Sequence, residues 1–238
     1  MTGSPRILAF DTSGAHCSAA LFSDGRIVAS RFEEMGRGQA ERLFPMMQEV
    51  LAAEGADWEE LDAIGVGVGP GNFTGIRIGV SAARGLALSL GIPAVGVSGF
   101  ECLRRLVAVE GGRSLSLLPA PRDQWLWEAT DRTGRPEARG LIAQKVLAGF
   151  SLMGAPAVIG PWTEGMEIEA SALVDGIGVP EVAAVTEPED AWAQMAAAVA
   201  EIATKRVTEG GDMPRPAPLY IRPADAAPAT DPPPVILP

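Results

Sequence analysis

Histidine and cysteine are nearly absent from this chain, and each scarcity removes a class of function. Its 238 residues hold one histidine, His16, and two cysteines, Cys17 and Cys102. One histidine and no C-x-x-C pair leave too few nitrogen and sulfur donors for a zinc or iron site built from protein ligands, although carboxylates could still carry magnesium. Nucleophilic catalysis of the triad kind goes the same way. Ser13, Ser98, Cys17 and Cys102 are available, but the sole candidate base is His16 and there is no G-x-S-x-G elbow. A protease or other hydrolase is therefore disfavoured. His16 opens an apolar, strand-like run and reads as a strand-end side chain. Two cysteines make no disulfide framework, so a reducing cytosol is the expected compartment.

Positive charge is also short, with 19 Lys and Arg against 30 Asp and Glu and a net charge of -11. Such a surface does not grip nucleic acid or anionic lipid by itself, because phosphate binding needs clustered bases. Any RNA contact has to be local or supplied by a partner. The imbalance is regional: Glu33 to Asp62 holds nine acids against Arg37 and Arg42, whereas Ala63 to Val109 holds one acid, Glu101, against Arg77, Arg84, Arg104 and Arg105. Solvated faces of opposite sign explain this, and a seam with a partner also fits. No secretion signal is expected from the opening residues, since Asp11 interrupts the apolar run after Arg6. The longest uncharged run, Val146 to Thr163, is cut by Gly149, Gly154, Pro156, Gly160 and Pro161 and reads as loop and strand, not as a membrane helix.

What is present centres on Val66 to Gly79, V-G-V-G-P-G-N-F-T-G-I-R-I-G. Ala63 to Val68 has strand length and composition, Gly69-Pro70-Gly71 forces a turn, and Asn72 or Thr74 can cap a helix over Phe73 to Leu90. Gly71, Gly75, Gly79 and Ala83 recur every four residues and leave one side of that helix almost bare. Interior glycines cost about 1 kcal/mol each relative to alanine, so something must come close there: another helix or a phosphate. There is no G-x-x-x-x-G-K-S/T lysine and no G-x-G-x-x-G spacing, and packing explains the glycines better than nucleotide binding. Asp11-Thr12-Ser13, an acid at a strand end beside hydroxyls, could hold hydrated magnesium and phosphates, or could simply close the strand as a turn.

In order, the chain reads as strands Arg6 to Asp11, His16 to Phe22 and Arg26 to Glu33, the last two joined by an Asp24-Gly25 hairpin. A helix follows over Gln39 to Glu54, apolar at Leu43, Phe44, Met47, Val50 and Leu51, with Pro45 expected to kink it or start its regular part. After the glycine-rich unit come strands at Ala94 to Ser98, Ser114 to Leu118, Trp125 to Thr130, Ala157 to Gly160 and Val182 to Val185. A last helix begins at a Thr186/Glu189 capping box, buries Trp192, Met195, Ala196, Val199, Ile202 and Ala203, and ends at Gly210-Gly211. From Pro214 onward nine of 25 residues are proline, which favours an extended or disordered tail. The first half makes a β-β-β-α-β-α-β layer, an α/β fold with a mixed sheet.

The G-P-G-N-F-T-G-I-R-I-G motif at 69 to 79 closely resembles the TsaB (YeaZ) family, the dimerisation subunit of the bacterial tRNA threonylcarbamoyladenosine machinery. I-L-A-F-D-T-S at 7 to 13, A-E-R-L-F-P at 40 to 45, I-P-A-V-G-V-S at 92 to 98 and P-L-Y-I-R at 218 to 222 fall in the family's order. The match is strong over 6 to 104 and weak from there to Tyr220. Gln39 and Asn72 depart from it, standing where the family often has histidine and serine, and so does the extension beyond Arg222.

The resemblance implies duplicated ribonuclease-H-like domains of the actin, sugar kinase and heat-shock chaperone (ASKHA) superfamily: residues 1 to 104, a degenerate second copy at 105 to 213, and a tail at 214 to 238. It also implies a cytoplasmic subunit that is not a catalyst. The catalytic paralogue TsaD carries a metal-binding H-x-x-x-H where Gly99 and Leu103 stand here. The implied partners are TsaD, the ATPase TsaE, and a second copy of the chain when TsaD is absent, with tRNA reached only through the complex and no membrane contact. The implied interface is Leu43, Phe44, Met47, Gly71, Thr74, Gly75, Ile76, Arg77, Gly79, Ala82 and Ala83, with Gly75, Gly79 and Ala83 admitting a partner helix. Asp11, Thr12 and Ser13 would be a nucleotide-binding remnant. No metal or cofactor of its own is expected, and ATP or ADP with magnesium would sit at the subunit seam. The alternative is a stand-alone ATP-dependent phosphotransferase of the same superfamily, using Asp11 and magnesium.

Overall fold

The computed structural model describes residues 4–106, 114–120, 122–143, 157–161, 181–185 and 188–221. Its first sheet is built on two strands buried at every position, β1 (Ile7–Asp11), apolar up to its terminal Asp11, and the uncharged β4 (Ala63–Gly67). They pair in parallel, as strands covered on both faces do. β2 (His16–Ser23) pairs antiparallel with β1, and β3 (Arg26–Glu34) with β2. Asp24 and Gly25 both take positive φ, 53° and 80°, which fits a two-residue turn matched to strand twist. β5 (Ala94–Val97) adds in parallel beyond β4, for the order β3-β2-β1-β4-β5.

Alternation along β1 assigns the two faces. Leu8 and Phe10 join Ile64, Val66 and the buried stripe of α1 (Gln39–Ala53), Leu43, Met46, Met47 and Val50. Ile7 and Ala9 join a second core with Val97, Phe100 and Leu103. α1 continues through Pro45 without a break. Pro45 and Glu41 are both exposed, so the carbonyl that loses its helical amide partner remains open to water. Part of the acidic run is neutralised where Arg42 bridges Glu33 and Glu49.

The second sheet repeats the first. β6 (Ser114–Ala120), β7 (Gln124–Thr130) and β8 (Pro136–Ala143) form an antiparallel meander, and β9 (Ala157–Pro161) and β10 (Glu181–Val185) extend it in parallel on the far side of β6. The order β8-β7-β6-β9-β10 is the first order again, three antiparallel strands followed by two parallel ones.

Besides a single 3-10 turn at Trp58–Glu60, two described elements lie outside the sequence expectation. One is α3 (Gly99–Leu106), between the sheets. Its start was legible: in S-G-F-E, Ser98 N donates to Glu101 Oε2 at 2.9 Å and Glu101 N to Ser98 Oγ at 3.2 Å, a reciprocal capping box. The other is β8, whose Pro136, Glu137, Arg139 and Gly140 have poor strand propensity and which owes its conformation to pairing with β7. The expected domain division also changes. After the short α4 (Pro188–Ala193), α5 (Met195–Glu209) leaves the second half and packs on β1, β2 and β4 of the first. Small residues permit this, since Gly65 lies directly beneath Val199 and Ala203. Thr186 of the expected capping box and the tail from residue 222 lie outside the described residues.

Candidate functional site

The glycine-rich helix forms as its sequence requires. α2 (Phe73–Leu90) is capped by Asn72, whose Oδ1 accepts from Thr74 N at 2.9 Å and Gly75 N at 3.1 Å. Its bare side, however, is filled from within the chain. A Cβ on Gly75 would sit 1.9 Å from the Thr12 carbonyl oxygen, one on Gly79 2.8 Å from Thr12 Oγ1, and one on Gly71 2.1 Å from the Ser13 carbonyl oxygen. Thr12 Oγ1 donates to Gly75 O at 2.7 Å, and Asn72 N donates to Ser13 O at 2.6 Å. The body that needs the missing side chains is the turn after β1, neither a partner helix nor a phosphate.

This corrects much of the expected interface. Leu43, Met47, Gly75, Ile76, Gly79 and Ala83 are all buried in the chain's own core, and Gly71 is pressed against Ser13. Phe44, Thr74 and Arg77 are exposed and Ala82 is half-buried. The last three belong to the opposite side of α2, where Thr74, Arg77, Ser81, Arg84, Gly85 and Leu88 face solvent at helical spacing. Leu88 is 83% exposed and Phe44, on the neighbouring α1, 45%.

At the start of that exposed side the later chain returns. Leu219 N donates to Val68 O at 2.8 Å, Pro216 packs over Gly96, and Tyr220 stacks on Phe73 with ring centroids 4.9 Å apart. Arg77 completes the cluster: its guanidinium carbon lies 3.8 Å over the Phe73 ring, and its Nε donates to the Tyr220 hydroxyl at 3.0 Å. The P-L-Y-I segment is thereby a strap across the β4–α2 turn. Nothing in the local sequence announced this contact.

Asp11, Thr12 and Ser13 do come together, turned into the protein. They are 4%, 1% and 5% exposed. Asp11 Oδ1 accepts from Ser13 N at 3.0 Å and lies 2.8 Å from His16 Nε2, a close approach without hydrogen-bond alignment. Asp11 Oδ2 fills the space over Gly67. His16, at the head of β2 as expected, is flanked by the Phe32 and Trp192 rings. Enclosed in this way, the trio closes the turn after β1 through its own contacts.

Burial by itself would raise the Asp11 carboxyl, but His16 and the Ser13 amide and hydroxyl hold it below the ordinary aspartate value. Its folded value lies below its unfolded one, so its contribution to stability is complete above about pH 4 and is lost as pH falls through the folded value. In acid denaturation followed by circular dichroism, Asp11→Asn is expected to start less stable at neutral pH and to lose stability less steeply below about pH 4. An acid limb as steep as the wild type's would refute this. The cysteines are inert by position: both are buried, burial pushes the Cys17 thiol up to about 12 and Cys102 well above its usual value. A disulfide reagent at neutral pH should label neither in the native protein and both in denaturant; rapid native labelling would contradict the burial.

Gly99 and Leu103 hold no metal chemistry. Gly99 opens α3 against Leu118, Leu103 is fully buried, and no group of three or more potential metal-binding side chains occurs among the described residues. No helix among them is long and apolar enough to cross a membrane.

Two sheets of one topology, joined through α3 and tied by α5, define the duplicated ribonuclease-H-like architecture of the ASKHA superfamily. The ROK hexokinase of Thermus thermophilus shares this fold, with a TM-score of 0.54 at 15% identity over 86% of this chain and 100% of that one. Within the superfamily the resemblance narrows. A Pseudomonas aeruginosa protein described by its similarity to YeaZ matches with a TM-score of 0.67 and 26% identity over 92% of this chain and all of its own. The Escherichia coli tRNA threonylcarbamoyladenosine biosynthesis protein TsaB is 45% identical over 93 residues, 39% of this chain and 40% of that protein. The family model for TsaD, tRNA N6-adenosine threonylcarbamoyltransferase, matches residues 32–123. The chain is thus similar to TsaB (YeaZ) proteins, in sequence over the matched segment and in fold over most of its length. Its matched segment spans about two fifths of the curated relatives' length, 40% and 41% for the first two.

Proposed function

We propose that this chain is a cytoplasmic, non-catalytic partner that activates the threonylcarbamoyl-transferring paralogue, TsaD, in forming N6-threonylcarbamoyladenosine next to the tRNA anticodon, with TsaE as the associated ATPase. The likeness to TsaB and YeaZ proteins supports a part in that modification. The observation that carries the partner role is the exposed side of α2, where Leu88 stands 83% exposed beside Arg77, Arg84 and half-buried Ala82 and Leu86. Leu88 does not stand alone: with the partly exposed Ala82 and Leu86 on the same helix and Phe44, 45% exposed on α1, it gives this side an apolar share that covering by a partner would bury. The enclosure of Asp11 weighs against the stand-alone phosphotransferase.

The test is to mix the chain with the TsaD of its own organism, measure mass by light scattering, and assay threonylcarbamoyl transfer to tRNA. A heterodimer and activity that requires both chains are expected. Leu88→Glu should weaken pairing about a hundredfold, because a carboxylate is desolvated where an apolar contact was made. A functional complex formed equally well by Leu88→Glu would remove this face from the interface. ATP or ADP with magnesium is assigned to the seam, so titration calorimetry should detect nucleotide binding to the mixture and not to this chain alone.

A further inference from the structure

The cluster of Phe73, Arg77 and Tyr220 is more than a fastening for the strap. Arg77 is exposed, yet its guanidinium is fixed on two sides, by the Phe73 ring at 3.8 Å and by the Tyr220 hydroxyl at 3.0 Å on Nε. Its two terminal nitrogens make no hydrogen bond or ion pair among the described residues. An exposed arginine ordinarily loses side-chain freedom when it binds; this one has given up most of that freedom beforehand. The two terminal nitrogens present a planar fork that matches a carboxylate. Seven residues on, about 10 Å along the helix, Arg84 stands on the same side, also unpaired among the described residues, and α2 contains no acid at all. The face is cationic with an apolar end at Leu88.

We propose that Arg77 is the anchor with which the α2 face receives a carboxylate of the docking protein partner, and that Tyr220, carried by the strap, is the residue that positions it. This rests on the pairing assigned above and specifies its chemistry: the partner presents an acidic side chain opposite the first turns of α2 and an apolar one opposite Leu88. A single carboxylate suits the site better than a polyanion, because the chain's net charge of -11 repels extended phosphate. The strap thereby acquires a function. Its Tyr220, far away in sequence, completes a surface that α2 alone would present as a mobile arginine.

The experiment measures the affinity of the full chain for its own organism's TsaD at low and high salt, in wild type, Arg77→Ala, Arg77→Lys, Tyr220→Phe, the Arg77→Ala/Tyr220→Phe double variant and Leu88→Glu, each first shown to unfold at the wild-type temperature. Arg77→Ala should weaken pairing about tenfold or more and flatten its salt dependence, with Arg77→Lys recovering part of it. Tyr220→Phe keeps the ring and loses the hydroxyl; it should weaken pairing about threefold in the wild-type background and have no effect once Arg77 is gone. A Tyr220→Phe effect that persists undiminished in the Arg77→Ala background would overturn the positioning role. Loss of pairing in Leu88→Glu with full pairing in Arg77→Ala would overturn the anchor and leave the interface reading intact. Full pairing in both would overturn the interface reading together with the anchor. Weakened self-association in Arg77→Ala, with TsaD pairing unchanged, would overturn the assignment of the occupant and make it a second copy of this chain.

Discussion

Gly75→Ala is expected to destabilise the protein by about 3 kcal/mol, and Gly85→Ala, ten residues along the same helix, to stabilise it by up to about 1 kcal/mol. Helix propensity alone predicts the same gain at both positions, since alanine loses less backbone freedom than glycine on entering a helix. Surroundings decide the difference. At Gly85 the added methyl meets nothing within 4 Å, whereas at Gly75 it falls 1.9 Å from the Thr12 carbonyl oxygen, which no rotamer change can move. That oxygen belongs to a turn held by the Thr12 hydroxyl on Gly75 O and by Asn72 N on Ser13 O. Relief therefore requires moving α2 off β1 and losing both bonds, which puts the cost at the upper end of overpacking penalties. In a chain of this size the two variants should differ by roughly 8 to 16 °C in thermal midpoint. Equal midpoints would mean that the close approach of α2 to the Thr12 turn is wrong. Gly79→Leu, which a partner seam on the glycine side would tolerate in the monomer, is expected to impair folding for the same reason.

The glycine stripe also marks how far the sequence can be read. A period of four along 71, 75, 79 and 83 says that something approaches α2 closely. It cannot say what, because the approaching turn lies some sixty residues earlier and local spacing carries no record of a long-range contact. Local chemistry was legible: Asp24-Gly25 makes its hairpin, Asn72 caps α2, and the apolar runs 7–10 and 63–66 become the central parallel pair. The S-x-x-E box that starts α3 was equally local and was there to be found. What resisted is tertiary. Met195, Ala196, Val199 and Ala203 read as an ordinary buried stripe, but which sheet they cover depends on Gly65 in the other half. Tyr220, in a proline-rich stretch with no periodicity, gave no sign that Phe73 and Arg77 would receive it. The Asp11 trio is legible as a cluster that either binds a ligand or closes its strand as a turn, and the sequence leaves the two open because both arrangements use the same residues.

Glu128→Ala is expected to cost about 3 kcal/mol or more, and its mode of failure will report how the two halves cooperate. Glu128 lies in β7, 1% exposed, with Arg104 Nη1 at 2.9 Å and Arg139 Nη2 at 3.4 Å. Removing the acid deprives two guanidinium groups of the carboxylate they share. Arg139 can turn to water, as its side chain is 38% exposed, but Arg104 is only 13% exposed and sits near Ser116 in the junction. A partly buried charge deprived of its partner is the expensive case, whereas replacing both partners by apolar residues of similar shape is often close to neutral. Arg104→Met/Glu128→Leu should accordingly recover most of what Glu128→Ala loses. Since Arg104 belongs to α3 in the first half and Glu128 to the second sheet, the ion pair couples two units that each have their own sheet. The wild type is then expected to unfold in one transition and Glu128→Ala in two, the second half melting first, because α5 stays anchored on the first sheet through Met195, Val199 and Ala203. Calorimetry distinguishes these cases. A single transition displaced downward without broadening would mean that α5, and not the Arg104–Glu128 pair, is what makes the two halves fold as one.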